Sequence, residues 1–297
     1  MTYDADLGRV TERLTRRFGP GVADWCAGIS ALVDVLAERW ALVPGRLFPA
    51  GNSSVVIRCP RSGGSAAVLK LSPDLPVVAE QAETLRLFGA SGRVPAILAA
   101  DLTAGAVLLE LIEPGTQADS LQPSPSARDW AALLTALHSA PVPVDYPTDL
   151  RAQCSGFFAR IGARVAEPEV GRWVSAADVA RGAERCQALL ATQTTQVLLH
   201  GDLHLANVLD GGPARGLIAI DPRACTGDPC FDAVDYLLDG AGGDGVETRC
   251  TALASASGLD ADRLRAWCRA IAPIVAIIRL RRPGAQQAVG ELLALAR

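Results

Sequence analysis

Four side chains in this 297-residue chain have types and spacing that fit one chemistry. Asp202 is followed five residues later by Asn207, and fourteen beyond that by Asp221. Between the last two lie Val208 and Leu209, then Gly211-Gly212-Pro213, then Leu217 to Ile220. An apolar run, a glycine-rich break and a second apolar run predict a hairpin, which sets Asn207 beside Asp221. Phosphoryl transfer needs such a set. One carboxylate orients the attacking hydroxyl, while an amide oxygen and a second carboxylate hold Mg²⁺ on the phosphates. Mg²⁺ takes few protein oxygens and several from phosphate, which suits one Asn and one Asp. A cation carried on a strand completes the set, and Lys70 in Ala66-Ala67-Val68-Leu69-Lys70-Leu71 is placed to supply it. It is the single Lys among 28 basic residues, and it gives a compact ammonium charge that Arg cannot.

Other chemistries fit less well. His200, Asp202 and His204 could ligate a metal at i, i+2, i+4, but the one other His is His138, on a helix face with Leu134 and Leu137. His138 reads as a structural hydrogen-bonding residue. A serine nucleophile lacks a G-x-S-x-G context, and no G-x-x-x-x-G-K-[ST] loop is present. The eight cysteines form no CxxC pair and have no nearby His, which argues for free buried thiols in a reducing cytoplasm rather than a zinc cage or disulfide framework. The D-x-x-x-x-N spacing, the later Asp after an apolar strand and the strand-borne Lys match the protein-kinase template.

The surrounding elements must present these groups. The first 45 residues look helical, with Ala31, Leu32, Val35, Leu36 and Trp40 at helical spacing. Short β-type runs follow at 46–48, 55–58 and 66–71. A helix follows from Pro76 to about Phe88, then strands at 97–100 and 106–111. This predicts a five-stranded antiparallel lobe. Glu113-Pro114-Gly115 breaks the pattern. Helices are then expected near 126–138, 149–165, 176–191, 230–239, 246–256, 261–280 and 284–296. The fold class is α+β: a small antiparallel β-sheet lobe over 1–112, a hinge at 113–115 and a larger mainly helical lobe over 116–297. A net charge of −4 disfavours nucleic acid or an anionic membrane as partner. The start, MTYDADLGRVTERLTRRFGP, does not fit a signal peptide, and the apolar run 266–280 carries Arg269, Pro273 and Arg279, so a buried helix is expected there. A cytoplasmic monomer or homodimer is the expectation.

Several blocks resemble the aminoglycoside phosphotransferases, in particular the streptomycin 6-phosphotransferase and hydroxyurea phosphotransferase branch. These include Trp25 to Val33, Ala67 to Leu71, Leu85 to Gly89, Leu137 to Pro141, His200 to Leu209, Ile220-Asp221-Pro222 and Gly227 to Asp232. The resemblance implies a two-lobed protein-kinase-like fold that binds ATP. Asp202 is then the catalytic base, Asn207 and Asp221 hold Mg²⁺, and Lys70 contacts the α/β-phosphates. The loop Gly51-Asn52-Ser53-Ser54 covers those phosphates through backbone N–H groups and the hydroxyls of Ser53 and Ser54. Backbone groups of Glu110 to Ile112 face adenine. One position departs from the pattern. Many relatives pair the strand Lys with a helical Glu, and here that place is held by Gln81, flanked by Glu80 and Glu83. Gln81 or Glu83 is the expected partner of Lys70, unless Lys70 pairs mainly with Asp221. Asp228 is expected to accept loop or catalytic-segment N–H groups, and Asp232 to sit in the first turn of the next helix.

From Ala224 to Thr248 there are six acids, Asp228, Asp232, Asp235, Asp239, Asp244 and Glu247, with no basic residue after Arg223 until Arg249 lies beyond. Asp232, Asp235 and Asp239 at i, i+3 and i+7 are expected on one helix face. A small-molecule acceptor of cationic character, held by Asp235 and Asp239 with Arg223, fits that stripe. Neutralisation by Arg263, Arg265, Arg269, Arg279, Arg281 and Arg282 is the alternative. An aminoglycoside kinase, a kinase for another small hydroxyl compound such as hydroxyurea, an amino sugar or a metabolite, and a weakly active nucleotide-binding protein are the three functions compatible with the sequence.

Overall fold

The protein is described from a computed structural model that covers residues 7–48, 53–61, 66–239, 245–282 and 284–297. Gly51, Asn52 and Asp244 lie outside those residues. The chain divides into two compact units. The first comprises residues to 90 together with 94–115, and the second 91–93 together with 116–297.

The first unit opens with three helices, α1 (Leu7–Phe18), α2 (Ala23–Ala27) and α3 (Ile29–Trp40). An antiparallel sheet follows from β1 (Val55–Pro60), β2 (Ala66–Leu71), β3 (Ile97–Asp101) and β4 (Ala106–Glu110), in spatial order β1-β2-β4-β3. The sheet has two clothed faces, and period-2 alternation decides which residue meets which. Ala67, Leu69 and Leu71 are buried with Val10, Leu14, Ile29, Val33 and Leu36 of the leading helices. On the other face Val107 packs with Val78 and Ala82 of α4 (Leu75–Phe88). Lys70 alternates onto this second face, opposite Val56 on β1 and Val107 on β4.

The expected fifth strand at 46–48 is not a full strand. Residues 43–48 run along the edge of β1 through Val43 N–H to Pro60 O, Gly45 N–H to Arg58 O and Phe48 N–H to Val56 O, with one bridge at Leu47 and Ile57. Pro44 has no N–H to give, and Gly45 passes so close to β1 that a Cβ would stand 2.5 Å from Arg58 O.

In the second unit α5 (Ala127–His138), α6 (Leu150–Gly162), α7 (Pro168–Gly171) and α8 (Ala176–Ala191) precede β5 (Val197–Leu199). The order continues with β6 (Val208–Asp210), α9 (Gly212–Arg215), β7 (Leu217–Ala219), β8 (Cys225–Gly227), α10 (Val234–Leu238), α11 (Val246–Ser257), α12 (Ala261–Arg279) and α13 (Gln286–Leu295). Ser126 and Ser175 start α5 and α8 as full capping boxes with Asp129 and Asp178. α12 is the core helix, buried over Leu264, Trp267 and Ala270 to Ile277 and packed on α6, α8, α10, α11 and α13. Among the described residues no single helix is long and apolar enough to cross a membrane. All eight cysteines are buried and free.

Candidate active site

β6 and β7 form the antiparallel hairpin expected between 207 and 221, with Val208 opposite Ala219 and Asp210 opposite Leu217. Ile220 N–H donates to Asn207 O at 2.9 Å, which carries the ladder one step further. Asn207 and Asp221 therefore leave the hairpin at the same end. Asp221 adopts φ +57°, a left-handed conformation costly for a non-glycine residue. The Asn207 side chain gives its Nδ2 to Asp202 O at 2.9 Å, so its amide oxygen is directed away from that bond. One amide oxygen and one carboxylate at a hairpin end suit a hard divalent cation.

The segment His200-Gly201-Asp202 is held from below by a buried charge. Asp232, 2% exposed, accepts His200 N–H at 2.8 Å through Oδ2 and Gly201 N–H at 2.9 Å through Oδ1. His138 Nε2 meets Asp232 Oδ2 at 3.0 Å. Burial pushes the Asp232 carboxyl up, but His138, His200 and the Gly201 N–H outweigh it and leave it below the usual range. The imidazole of His200 is wholly buried, and that burial lowers its pKa. Its Nε2 lies 3.0 Å from Ile220 O and its Nδ1 3.4 Å from Asp202 N. A carbonyl requires a donor at Nε2 and an N–H requires an acceptor at Nδ1, so the ring is the neutral Nε2–H form. Gly201 has φ +78°, and a Cβ there would stand 2.1 Å from Arg223 O. Only glycine fits. Gln153 Nε2 completes the frame with a bond to Gly201 O.

Asp202 itself reaches solvent, its side chain 39% exposed, with Arg223 Nε 3.6 Å from its Oδ2. In the first unit Lys70 Nζ donates to Gln81 Oε1 at 2.8 Å. Glu83 is exposed and turned to Arg86 instead. Ser54 is buried at the foot of β1, its carbonyl accepting Arg13, and Ser72 Oγ donates to Ser53 O. Glu110 ends β4 with its N–H given to Ala96 O, and Ile112 is buried just beyond.

Residues 39–283 match the family described as aminoglycoside/hydroxyurea antibiotic resistance kinase. The chain belongs to this family. It is 29% identical to the hydroxyurea phosphotransferase of Kitasatospora aureofaciens over 84% of this chain and 72% of that one. Identity to the streptomycin 6-kinase of Streptomyces glaucescens is 30%, over 85% and 83%. Among solved structures a choline kinase from Streptococcus pneumoniae superposes with a TM-score of 0.64 at 14% identity, covering 89% of this chain and 98% of that chain. A gentamicin complex of an aminoglycoside 2''-phosphotransferase gives 0.60 at 16%, covering 89% and 95%. These establish the α+β kinase fold, an antiparallel sheet unit and a helical unit. As a member of the antibiotic resistance kinase family, the chain is a phosphotransferase, and its donor is a nucleotide.

Two details of this kinase differ from what the sequence suggested. Asp232 does not share a helix face with Asp235 and Asp239, because α10 begins only at Val234, after a 3₁₀ turn at 231–233. That turn aims Asp232 inward, where it, rather than Asp228, takes the N–H groups of His200 and Gly201. Asp228 accepts the loop N–H of Cys230 at 3.0 Å, then Trp267 Nε1 at 2.7 Å and Arg263 Nε at 2.5 Å, tying the loop to α12. The acids beyond it meet separate fates. Asp239 is paired with Arg279 at 3.4 Å, and Glu247 with Arg265 and Arg269. Among the described residues the Asp235 side chain has no hydrogen-bond or ion-pair partner. Burial first, then the charge of Asp202, push its carboxyl up to about 6, against the pull of His204.

Proposed function

We propose that this family member transfers the γ-phosphoryl group of ATP, with Mg²⁺, to a hydroxyl of an aminoglycoside such as streptomycin. The observation that carries this reading is the framework around Asp202: its carboxylate reaches solvent while the peptide groups on either side are fixed by Asp232, His200 and Asn207. Preorganisation of this kind is what phosphoryl transfer requires of a protein, since positioning and electrostatics supply most of the rate. Asp202 orients the acceptor hydroxyl and takes its proton as the oxygen bonds to the γ-phosphorus. The bond from that phosphorus to the β–γ bridging oxygen breaks, and ADP leaves. Asn207 through its amide oxygen and Asp221 through its carboxylate hold Mg²⁺, which neutralises phosphate charge. Lys70, oriented by Gln81, takes the α/β-phosphates. The backbone at Ser53 and Ser54 supplies further donors, and the backbone between Glu110 and Ile112 receives adenine.

For the acceptor, Asp235 is the acid that supports recognition of a cationic group, because it is close enough to Asp202 to feel its charge and has no internal cation bonded to it. Asp239 serves less well, being engaged by Arg279. Arg223, beside Asp202, is placed to steady an anionic or hydroxyl group of the bound substrates. A second reading has its own support. One unpaired acid is few for a polycation, and the relative from Kitasatospora aureofaciens is named for hydroxyurea, a small neutral acceptor. Purified protein with ATP and Mg²⁺ is to be offered streptomycin, other aminoglycosides and hydroxyurea, with ADP release and product mass as readouts. Gain of one phosphate on streptomycin, absent in Asp202→Ala, supports the first reading. Transfer to hydroxyurea alone supports the second. Nucleotide binding without turnover on any acceptor overturns both.

A further inference from the structure

The helix α1 lies before the stretch that matches the family, which begins at residue 39. Its sequence LGRVTERLTRRF buries Val10 and Leu14 in the core shared with β1 and β2. Arg9, Arg16 and Arg17 face solvent, whereas Arg13 is half-buried. Burying a guanidinium costs hydration, and that burial lowers the pKa of Arg13. Such a residue is retained at a half-buried position when it makes a directed contact. One such contact is Arg13 Nη2 to Ser54 O at 2.8 Å. Ser72, directly after β2, holds the preceding carbonyl through its Oγ, 2.8 Å from Ser53 O.

The two bonds act on successive peptide groups. A peptide unit is planar, so fixing its carbonyl also fixes the N–H on its other side. Holding Ser53 O sets the direction of Ser54 N–H, and holding Ser54 O sets that of Val55 N–H. Both planes flanking Ser54 are thus pinned at the entry to β1. We propose that Arg13 is a positioning residue for the nucleotide phosphates: through the Ser54 carbonyl it fixes the Ser54–Val55 peptide plane, while Ser72 fixes the Ser53–Ser54 plane, and the two together set the course of the backbone at Ser53 and Ser54. The inference rests on the reading of those two residues as phosphate-binding. It brings a helix outside the family match into the nucleotide site.

Full-length Arg13→Met keeps the apolar stem and removes the donor, while Arg13→Lys keeps one charged donor. Each is compared with wild type for the ATP KM, the acceptor KM, kcat, and the affinity for a fluorescent ADP analogue, with a calorimetric melt alongside. Loss of one charge-assisted hydrogen bond predicts an ATP KM and an ADP-analogue Kd raised about tenfold in Arg13→Met. The acceptor KM should not move, and Arg13→Lys should recover part of the loss. Ser72→Ala should weaken the ADP analogue in the same direction, which keeps the test open if Arg13→Met does not fold. Unchanged ADP affinity in folded Arg13→Met overturns the inference. So does a parallel rise in both KM values with a lowered melting temperature and no recovery by Lys, the mark of a helix that only supports the fold. Wild-type protein that binds no ADP analogue overturns the phosphotransferase reading as well, whereas normal wild-type turnover with a normal Arg13→Met removes this inference alone.

Discussion

The Asp202 segment and the Lys70 strand fix their functional groups by opposite means. Around Asp202 there is no long ladder: β5, β6, β7 and β8 have three residues each. Its backbone is held instead by a buried carboxylate, a neutral imidazole and two amide side chains. Lys70 sits in the middle of a regular sheet, and its ammonium is directed by the neutral carbonyl oxygen of Gln81. A ladder distributes the positioning over many equal bonds. A buried charge concentrates it in one residue whose loss leaves several groups unpaired. The first arrangement should therefore tolerate substitution and the second should not.

The largest effect should come from the group that the second arrangement presents. Asp202→Asn is expected to lower kcat about 10²–10⁴-fold with nucleotide affinity retained, measured by steady-state turnover and ADP titration. Next comes its support. Asp232→Asn leaves His138, His200 N–H and Gly201 N–H facing a neutral group, with an expected loss of about 3–5 kcal/mol in urea unfolding. If the folded fraction kept full kcat, the buried charge would be a matter of stability alone and the contrast would fail.

The sheet side should respond more mildly. Gln81→Ala should raise the ATP KM about five- to tenfold, the effect of one hydrogen bond to a charged group. Gln81→Glu should stay within about twofold of wild type, since the strand already holds the Lys70 stem. A large gain or loss with Glu would show that the neutrality of the pair matters, and would bring the two regions closer in kind.

The last effect is a pH dependence. Asp235 keeps its proton in the folded protein up to about 6, higher than in the unfolded chain. The folded state thus binds more protons across that window, and stability falls as pH rises through it. Asp235→Asn removes this loss. The variant should gain about 3 kcal/mol over wild type at pH 8, with the gain vanishing toward pH 4, as followed by urea melts across pH. A constant difference at all pH values would assign the effect to something other than the carboxyl.

Much of this was legible in the chain. The hairpin that pairs Asn207 with Asp221 is written in Gly211-Gly212-Pro213 between two apolar runs, and the helix expected near 176–191 is α8. What was not legible depends on distant contacts. Asp232 meets His138 across 94 positions, and a local reading gave it only the dipole of the next helix. The three acids at helical spacing suggested one face, and a single 3₁₀ turn dispersed them. The strand β8, Cys225-Thr226-Gly227, has too few residues to show alternation and forms because β5 lies ready to pair with it. The edge run at 43–48 pairs with β1 only in part, since its donors fall out of the two-residue step between Gly45 and Phe48.

The scarcity of lysine has a practical consequence. With every other basic residue an arginine, the ε-amine of Lys70 is the one side-chain amine in the molecule. Reductive methylation with isotope-labelled formaldehyde would therefore place one side-chain probe, without mutagenesis, on the cation assigned to the phosphates. Its resonance would follow nucleotide arrival directly, and protection of that amine from acylating reagents would serve as a binding assay in an unmodified protein.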